Sequence, residues 1–395
     1  MGRGSQANQN QVIIMSIKYF PFVVAAFLFV SATHAACPTD IATLAPGTWC
    51  DAASSHLRDV AYKWPTGVTY TGNGIGVEGV MDLWSGGAFY TKRNRLMVWG
   101  GGHNGYGGNE IYAFDVNTLR WSRLYDPVAP SRCVVQYSDG SPASSHSYGF
   151  LEYLANVDRF ATFETGAWCE QGIGFAAAHA YNPATVTWER WPDNPVGGYS
   201  QAAYDPVTGH AWVKGNTSPC SVAEFDPVQK SWQTRSDEGC YAYYPTMVVD
   251  SDRRLLIAIG EGKQWAWDIS KTGTLTRINL STTGDQAIVT TSAPGLAYDP
   301  VSKKVVGWQG GADVYTLDTG TWQWTKLALA ATNAVTPTAP NSRGTYGRFR
   351  YIPSKNAFIV VNHVDENVYF YKLSTGGGIA VPATPAKPSV VIQLK

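Results

Sequence analysis

The stretch YSQAAYDPVTGHAWVKGN (199–216), followed by SVAEFDPVQKSWQTR (221–235), decides the fold. An apolar segment ends at Tyr204 and runs into a turn of Asp, Pro and Gly. A second closes on Lys214, Gly215 and Asn216, a third ends at Asp226, and a fourth opens on Trp232. Short apolar segments separated by such turn residues read as one unit of four antiparallel strands. The same punctuation recurs in five other places. Residues 86–102 and 109–124 form the first unit, 146–166 and 176–191 the second, and the quoted stretch the third. Residues 244–262 with 264–278, 293–311 with 313–327, and 347–362 with 366–373 form the fourth, fifth and sixth.

In four units the residue closing the third strand precedes the fourth-strand Trp by the same interval: Asp115–Trp121, Asn182–Trp188, Asp226–Trp232 and Asp318–Trp324. Four strands in roughly 40–50 residues is the period of a propeller blade. The expected fold is therefore all-β, a β-propeller with four-stranded blades, six of them visible over 81–374. The glycines after the second strand (Gly100, Gly101 and Gly102; Gly310 and Gly311) and the Trp of the fourth make the chain resemble the kelch and galactose-oxidase-like propellers. A seventh blade stays open, since residues 37–80 and the tail PATPAKPSVVIQLK (382–395) would complete one by pairing the two ends. On that reading 375–395 is a Pro-rich linker followed by a closing strand.

The 395 residues include 40 Gly, 15 Trp and 22 Tyr against 5 Met, a mixture suited to turns and half-buried strand faces. Lys+Arg and Asp+Glu number 30 each, which excludes the basic footprint of a nucleic-acid binder. Ahead of the first unit, Lys18 precedes the apolar run 20–30, and Thr33, His34 and Ala35 follow as a cleavage site. Residues 1–36 thus read as a secretory signal peptide whose apolar run is too short to span a bilayer. Met15 is the expected natural start. Removing the leader takes away Arg3 and Lys18 and leaves a mildly acidic chain, secreted or periplasmic and free of the membrane. All six cysteines follow the leader, and an even number in an exported chain implies disulfides. Sequence proximity favours Cys37–Cys50, Cys133–Cys169 and Cys220–Cys240.

In an antiparallel blade, alternate connections emerge on one face. The loop between second and third strands therefore shares a face with the loop leading into the next blade. His103, Asn104 and Tyr106 fall in such a loop of the first unit. His146 and Tyr148 lead into the second, whose own loop carries Glu164 and Trp168. Tyr199 leads into the third, and Lys214 ends its second strand. Tyr244 leads into the fourth, Arg343 and Arg348 into the sixth, and His363 follows the sixth unit's second strand. Arg348 and Arg350 alternate, so one is expected to reach the channel and the other to pair with a carboxylate. One face thus gathers imidazole, phenol and cationic groups.

Such a set, without an obvious carboxylate pair, suits proton abstraction next to a carboxylate better than glycoside hydrolysis. It is similar to the propeller-fold polysaccharide lyases of the ulvan lyase type. That resemblance implies catalytic roles for His103, His146, Tyr199 and Lys214, while the shared face offers substrate contacts from Asn104, Tyr106, Tyr148, Glu164, Trp168, Tyr244, Arg343, Arg348 and His363. Lys214 departs from the family's Arg, and Lys lacks the planar fork that binds a carboxylate at two points. The family's Cys/His metal cluster is also missing. No cofactor or metal is expected, with a divalent ion left open. The expected partner is an acidic polysaccharide or other glycan, bound by a monomer. The competing readings are a non-catalytic glycan- or protein-binding propeller and a copper-radical oxidase. The last needs a Tyr cross-linked to Cys, for which six paired cysteines leave no thiol.

Overall fold

Five of the six sequence units each fold as four antiparallel strands of one sheet, and the sixth supplies three strands of another. A computed structural model describes residues 1–2, 36–102, 104–166, 168–169, 174–237, 240 and 244–375. Of the two compact units in the chain, Met1–Thr33 and His34–Lys395, everything below concerns the second. The expected signal peptide lies outside the described residues. Blade 1 comprises Ala88–Tyr90, Arg95–Trp99, Ile111–Asp115 and Arg120–Tyr125, from the axis outward. Blade 2 comprises Leu151–Leu154, Arg159–Thr162, His179–Asn182 and Thr187–Arg190. Blade 3 takes Gln201–Tyr204, Ala211–Lys214, Val222–Asp226 and Ser231–Ser236, and blade 4 takes Thr246–Asp250, Leu255–Gly260, Lys263–Asp268 and Ile278–Asn279. Blade 5 is Gly295–Asp299, Lys304–Trp308, Val314–Asp318 and Gln323–Lys326, with Thr283–Gly284 added in parallel at its outer edge.

The recurring Asp/Asn-to-Trp interval has a geometric cause. Asp115, Asp226 and Asp318 each accept backbone N–H bonds from the two residues two and three places on. These Asx turns replace lost ladder bonds. Four places after each Asp or Asn, a residue with positive φ (Leu119, Val186, Lys230, Trp322) reverses the chain. The Trp two places later is then aimed back across the ladder: Trp121 opposite Phe114, Trp188 opposite Tyr181, Trp232 opposite Phe225 and Trp324 opposite Leu317. Sequence spacing and blade geometry are the same fact.

Blade 6 shows how the ring closes. Arg350–Ile352, Ala357–Val360 and Val368–Lys372 come from the end of the chain, and the outer strand is Thr48–Ala52 from its beginning. Residues 37–80 therefore contribute one strand to the sixth blade, and the propeller has six blades rather than seven. The anticipated closing strand in 376–395 lies outside the described residues. Trp49, opposite Tyr371, fills the place that Trp121 and Trp324 fill elsewhere. Its ring centroid is 4.9 Å from that of Tyr371 and 6.0 Å from that of Trp308, and its Nε1 donates to the Ala312 carbonyl at 2.9 Å.

Each inner strand packs against the next, and Ala88–Tyr90 meets Arg350–Ile352 to complete the circle. The inner strands line an axial cavity of ≈ 380 Å³ that includes Phe89, Tyr153, Tyr204, Val249, Tyr298 and Tyr351. The disulfides are Cys37–Cys50, Cys133–Cys169 and Cys220–Cys240, as proximity suggested. The first holds the leading segment to the closing strand. Among the described residues no helix is long and apolar enough to cross a membrane.

Candidate functional site

The loops between second and third strands, and those leading into the next blade, share one face of the propeller. Two disulfides brace them. Cys133–Cys169 joins the loop entering blade 2 to that blade's own second-to-third-strand loop. Cys220–Cys240 joins the corresponding loop of blade 3 to the one entering blade 4.

At the start of the inner strands lies an array of strained residues. Trp84, Tyr148, Tyr199 and Tyr346 all have positive φ, at +47°, +37°, +53° and +49°. For aromatic side chains this backbone costs about 1–3 kcal/mol each and persists only where its surroundings enforce it. The enforcing contacts run between blades: Tyr148 N–H donates to the Trp84 carbonyl at 2.6 Å, and Tyr346 N–H to the Ala293 carbonyl at 3.2 Å. Under Tyr199 the enforcing group is Glu164, whose carboxylate accepts from the Tyr199 N–H and from the N–H and hydroxyl of Ser200. Burial pushes the Glu164 carboxyl up, and these three donors oppose that shift.

The strain assembles an aromatic mouth. The Tyr148 ring lies edge-on to Tyr199 (5.1 Å between centroids) and Tyr346 (6.1 Å), and stacks with Tyr244 at 6.0 Å. Tyr199 is 37% exposed and is the open edge of this group. His146 Nδ1 is 3.3 Å from the Tyr148 hydroxyl, and its ring packs 4.9 Å from that of Trp84. Gly102 adjoins them, and a Cβ there would collide with His146 Nε2. The Arg343 guanidinium lies over Trp84, 4.8 Å from its centroid. Beyond it, the Asp82 carboxylate holds His363 Nε2 at 3.1 Å. Asp365 N–H donates to His363 Nδ1, so both ring nitrogens of His363 are engaged.

The structure therefore brings His146, Tyr148, Tyr199 and Tyr244 together, with Arg343 and His363 along the same strip. Lys214 lies beneath, 2% exposed, its ammonium donating to the Gly215 carbonyl at 2.8 Å and to Asn216 Oδ1 at 3.2 Å. Burial and, after it, Arg277 bring this group down to about 8. Asn216 in turn donates to the Tyr199 carbonyl at 2.6 Å. Asn104 accepts from Arg132 at 3.4 Å. His103 lies outside the described residues.

Tyr106, Trp168 and Arg348 were expected on the open face; each is instead only 1% exposed. Arg348 donates to the carbonyls of Val361, Ser85 and Gly344 and staples the backbone. Arg132 lies over the Trp168 ring at 4.7 Å. Sequence reasoning missed Trp84 and Asp82. The signal for Trp84 was its place before Ser85, Gly86 and Gly87, where later blades have Tyr148-Gly149 and Tyr346-Gly347.

Tyr106 belongs to a buried network. Its hydroxyl donates to Glu110 and accepts from Trp64 Nε1 at 3.0 Å, and Tyr112 donates to the same carboxylate oxygen at 3.3 Å. Glu110 Oε2 has no partner among the described residues, and burial pushes the carboxyl up to about 7 from an ordinary 4.5. The folded chain then keeps this proton to about pH 7, whereas the unfolded chain releases it near 4.5. Stability should be fully present below pH 4.5 and lost as pH rises through about 7, by roughly 3 kcal/mol. Urea titrations across that window should show Glu110→Gln without this slope. An unchanged slope would refute the assignment.

All six cysteines are paired, so the residues present do not fit the Tyr–Cys cross-link of a copper-radical site. No family model and no curated protein sequence matches the chain. Among solved structures it is similar to one described as the structure of YjhT, with TM-score 0.46 and 12% identity, covering 72% of this chain and 92% of that one. It is also similar to a fungal alcohol oxidase of the AA5 family in complex with copper, with TM-score 0.43 and 10% identity. That match covers 73% of this chain and spans 62% of the oxidase.

Proposed function

We propose that this face binds an extracellular acidic polysaccharide and cleaves it by β-elimination. The observation that carries the reading is the 3.3 Å approach of His146 Nδ1 to the Tyr148 hydroxyl, inside an aromatic mouth with Tyr199 at its open edge. Aromatic rings offer apolar faces to sugars, and a linked imidazole–phenol pair supplies both a base and an acid.

In the productive tautomer His146 Nδ1–H donates to the Tyr148 oxygen, and Nε2 is the unprotonated, basic nitrogen. Nε2 takes the proton from C5 of a uronic acid. The C–H electrons become the C4–C5 double bond, and the C4–O bond breaks with its pair on oxygen. Tyr148 protonates that oxygen, and His146 Nδ1–H restores the phenol. The result is one unsaturated end and one new hydroxyl end; His146 is left protonated on Nε2, and proton exchange with water returns it to the starting tautomer. Burial and the neighbouring Tyr199 and Tyr244 push the Tyr148 phenol well above its usual range, which keeps it in the acid form this step needs.

The test is incubation with a panel of uronic acid polymers while following the ultraviolet absorbance of unsaturated products. A rising absorbance supports elimination. Binding without such products would replace this reading with that of a glycan-binding propeller.

A further inference from the structure

Beside the proton-transfer pair stands a cation whose hydrogen-bonding capacity is almost unused. Arg343 is half-buried, and of its five N–H groups only one finds an acceptor among the described residues, the Asp82 carbonyl at 3.3 Å. The remaining donors form a planar fork lying on Trp84, 4.8 Å from the ring centroid. Trp84 is itself held at φ +47° and packs against His146. Asn341 ties down the segment carrying Arg343, its Oδ1 accepting from the Arg343 N–H at 2.8 Å and its Nδ2 donating to the Asp82 carbonyl at 3.1 Å. The Asp82 carboxylate is engaged by His363 rather than by this guanidinium.

From this arrangement we infer that Arg343, stacked on Trp84, is the clamp that receives the substrate's carboxylate. It is a binding subsite for a planar carboxylate next to the carbon that His146 deprotonates. The inference rests on the proposed elimination for its orientation, and it moves the neutralising role away from Lys214. The Lys214 ammonium has two of its three N–H groups committed to Gly215 and Asn216, lies over the Trp265 ring at 5.5 Å, and is enclosed. A guanidinium fork binds a carboxylate at two points, where an ammonium offers a point charge. Contact with the indole face holds the fork in place and lowers the conformational cost of binding. His146 on the other contact of Trp84 then sits close to the carbon bearing that carboxylate.

The probes are short oligomers of galacturonate, glucuronate and mannuronate, each compared with its methyl ester, titrated calorimetrically against the full chain. The unmodified protein should bind one acid series about 10–100-fold more tightly than its ester, the range set by charge-assisted hydrogen bonds. Arg343→Ala should abolish that preference while leaving ester binding and the unfolding temperature unchanged. Arg343→Lys, which keeps charge without the fork, should fall between. Full acid preference in Arg343→Ala would overturn the clamp and leave the elimination reading intact. Absence of any acid preference in the unmodified protein would overturn the clamp together with the acidic-substrate reading. Loss of acid and ester binding in equal measure would also overturn it, because the side chain would then act by shape.

Discussion

Arg350→Met is expected to lower the unfolding free energy by about 3–5 kcal/mol, the usual cost of leaving a buried charge without its partner. Arg350 donates to Glu152 at 2.9 Å and to the carbonyls of Gly87, Leu151 and Gly347, so one guanidinium spans blades 6, 1 and 2. Glu152 is 5% exposed, and burial already pushes its carboxyl up against the opposing pull of Arg350. Without the arginine, the carboxyl should rise further. A folded value above the unfolded one means stability is retained below the unfolded value and lost as pH rises, so the defect should shrink under acid conditions. Denaturant midpoints near neutral pH and near pH 4 would measure both effects. A second substitution, Glu152→Leu in the Arg350→Met background, should recover part of the loss, because the uncompensated charge is gone. A neutral-pH loss under about 1 kcal/mol would remove Arg350 from the account of ring closure.

The largest functional effect is expected at His146. If elimination products form, His146→Ala should reduce kcat by roughly 10²–10⁴-fold, the contribution of a positioned acid–base group. Tyr148→Phe should cost a similar factor, since it removes the donor to the leaving oxygen while leaving the aromatic packing in place. The two side chains work as one relay, so the double variant should be little slower than either single one. Additive losses would mean two independent roles. A drop below tenfold in His146→Ala, with the fold intact by near-ultraviolet dichroism, would dismiss the relay.

Much of this fold was legible in the sequence because blade geometry writes itself into short intervals. An Asx turn, a reversal by a residue of positive φ and an inward Trp occupy fixed places, and Asp226, Lys230 and Trp232 show all three. The closing strand was harder to see because its partner lies at the other end of the chain. Trp49 carried the signal, but Lys372 stands where other blades have Asp or Asn, so the interval that marks a fourth strand is cut in two. The candidate site was legible as a face, since strand alternation alone decides which loops gather there. Orientation within the face was not. Arg348 and Tyr106 sit in suitable loops, yet one is consumed by carbonyls and the other by Glu110. Which hydrogen bonds a polar side chain makes depends on neighbours from other blades, and no local pattern encodes them. The role of Arg350 was closer to hand: of two alternating arginines, one was expected to meet a carboxylate, and it does.

The pairing of Thr48–Ala52 with Val368–Lys372 makes the backbone circular in all but one covalent link. Where such a circle is opened is then a matter of convenience. Linking the chain after Lys372 to the chain before its partner Thr48 by a short linker, and cutting in the turn after Asp299, should give a circular permutant with the same six sheets. Removing either paired strand, by contrast, opens the edge of the sixth blade to other chains. The first and last strands of the propeller therefore lie side by side in one blade, and a change made to either is felt by the other.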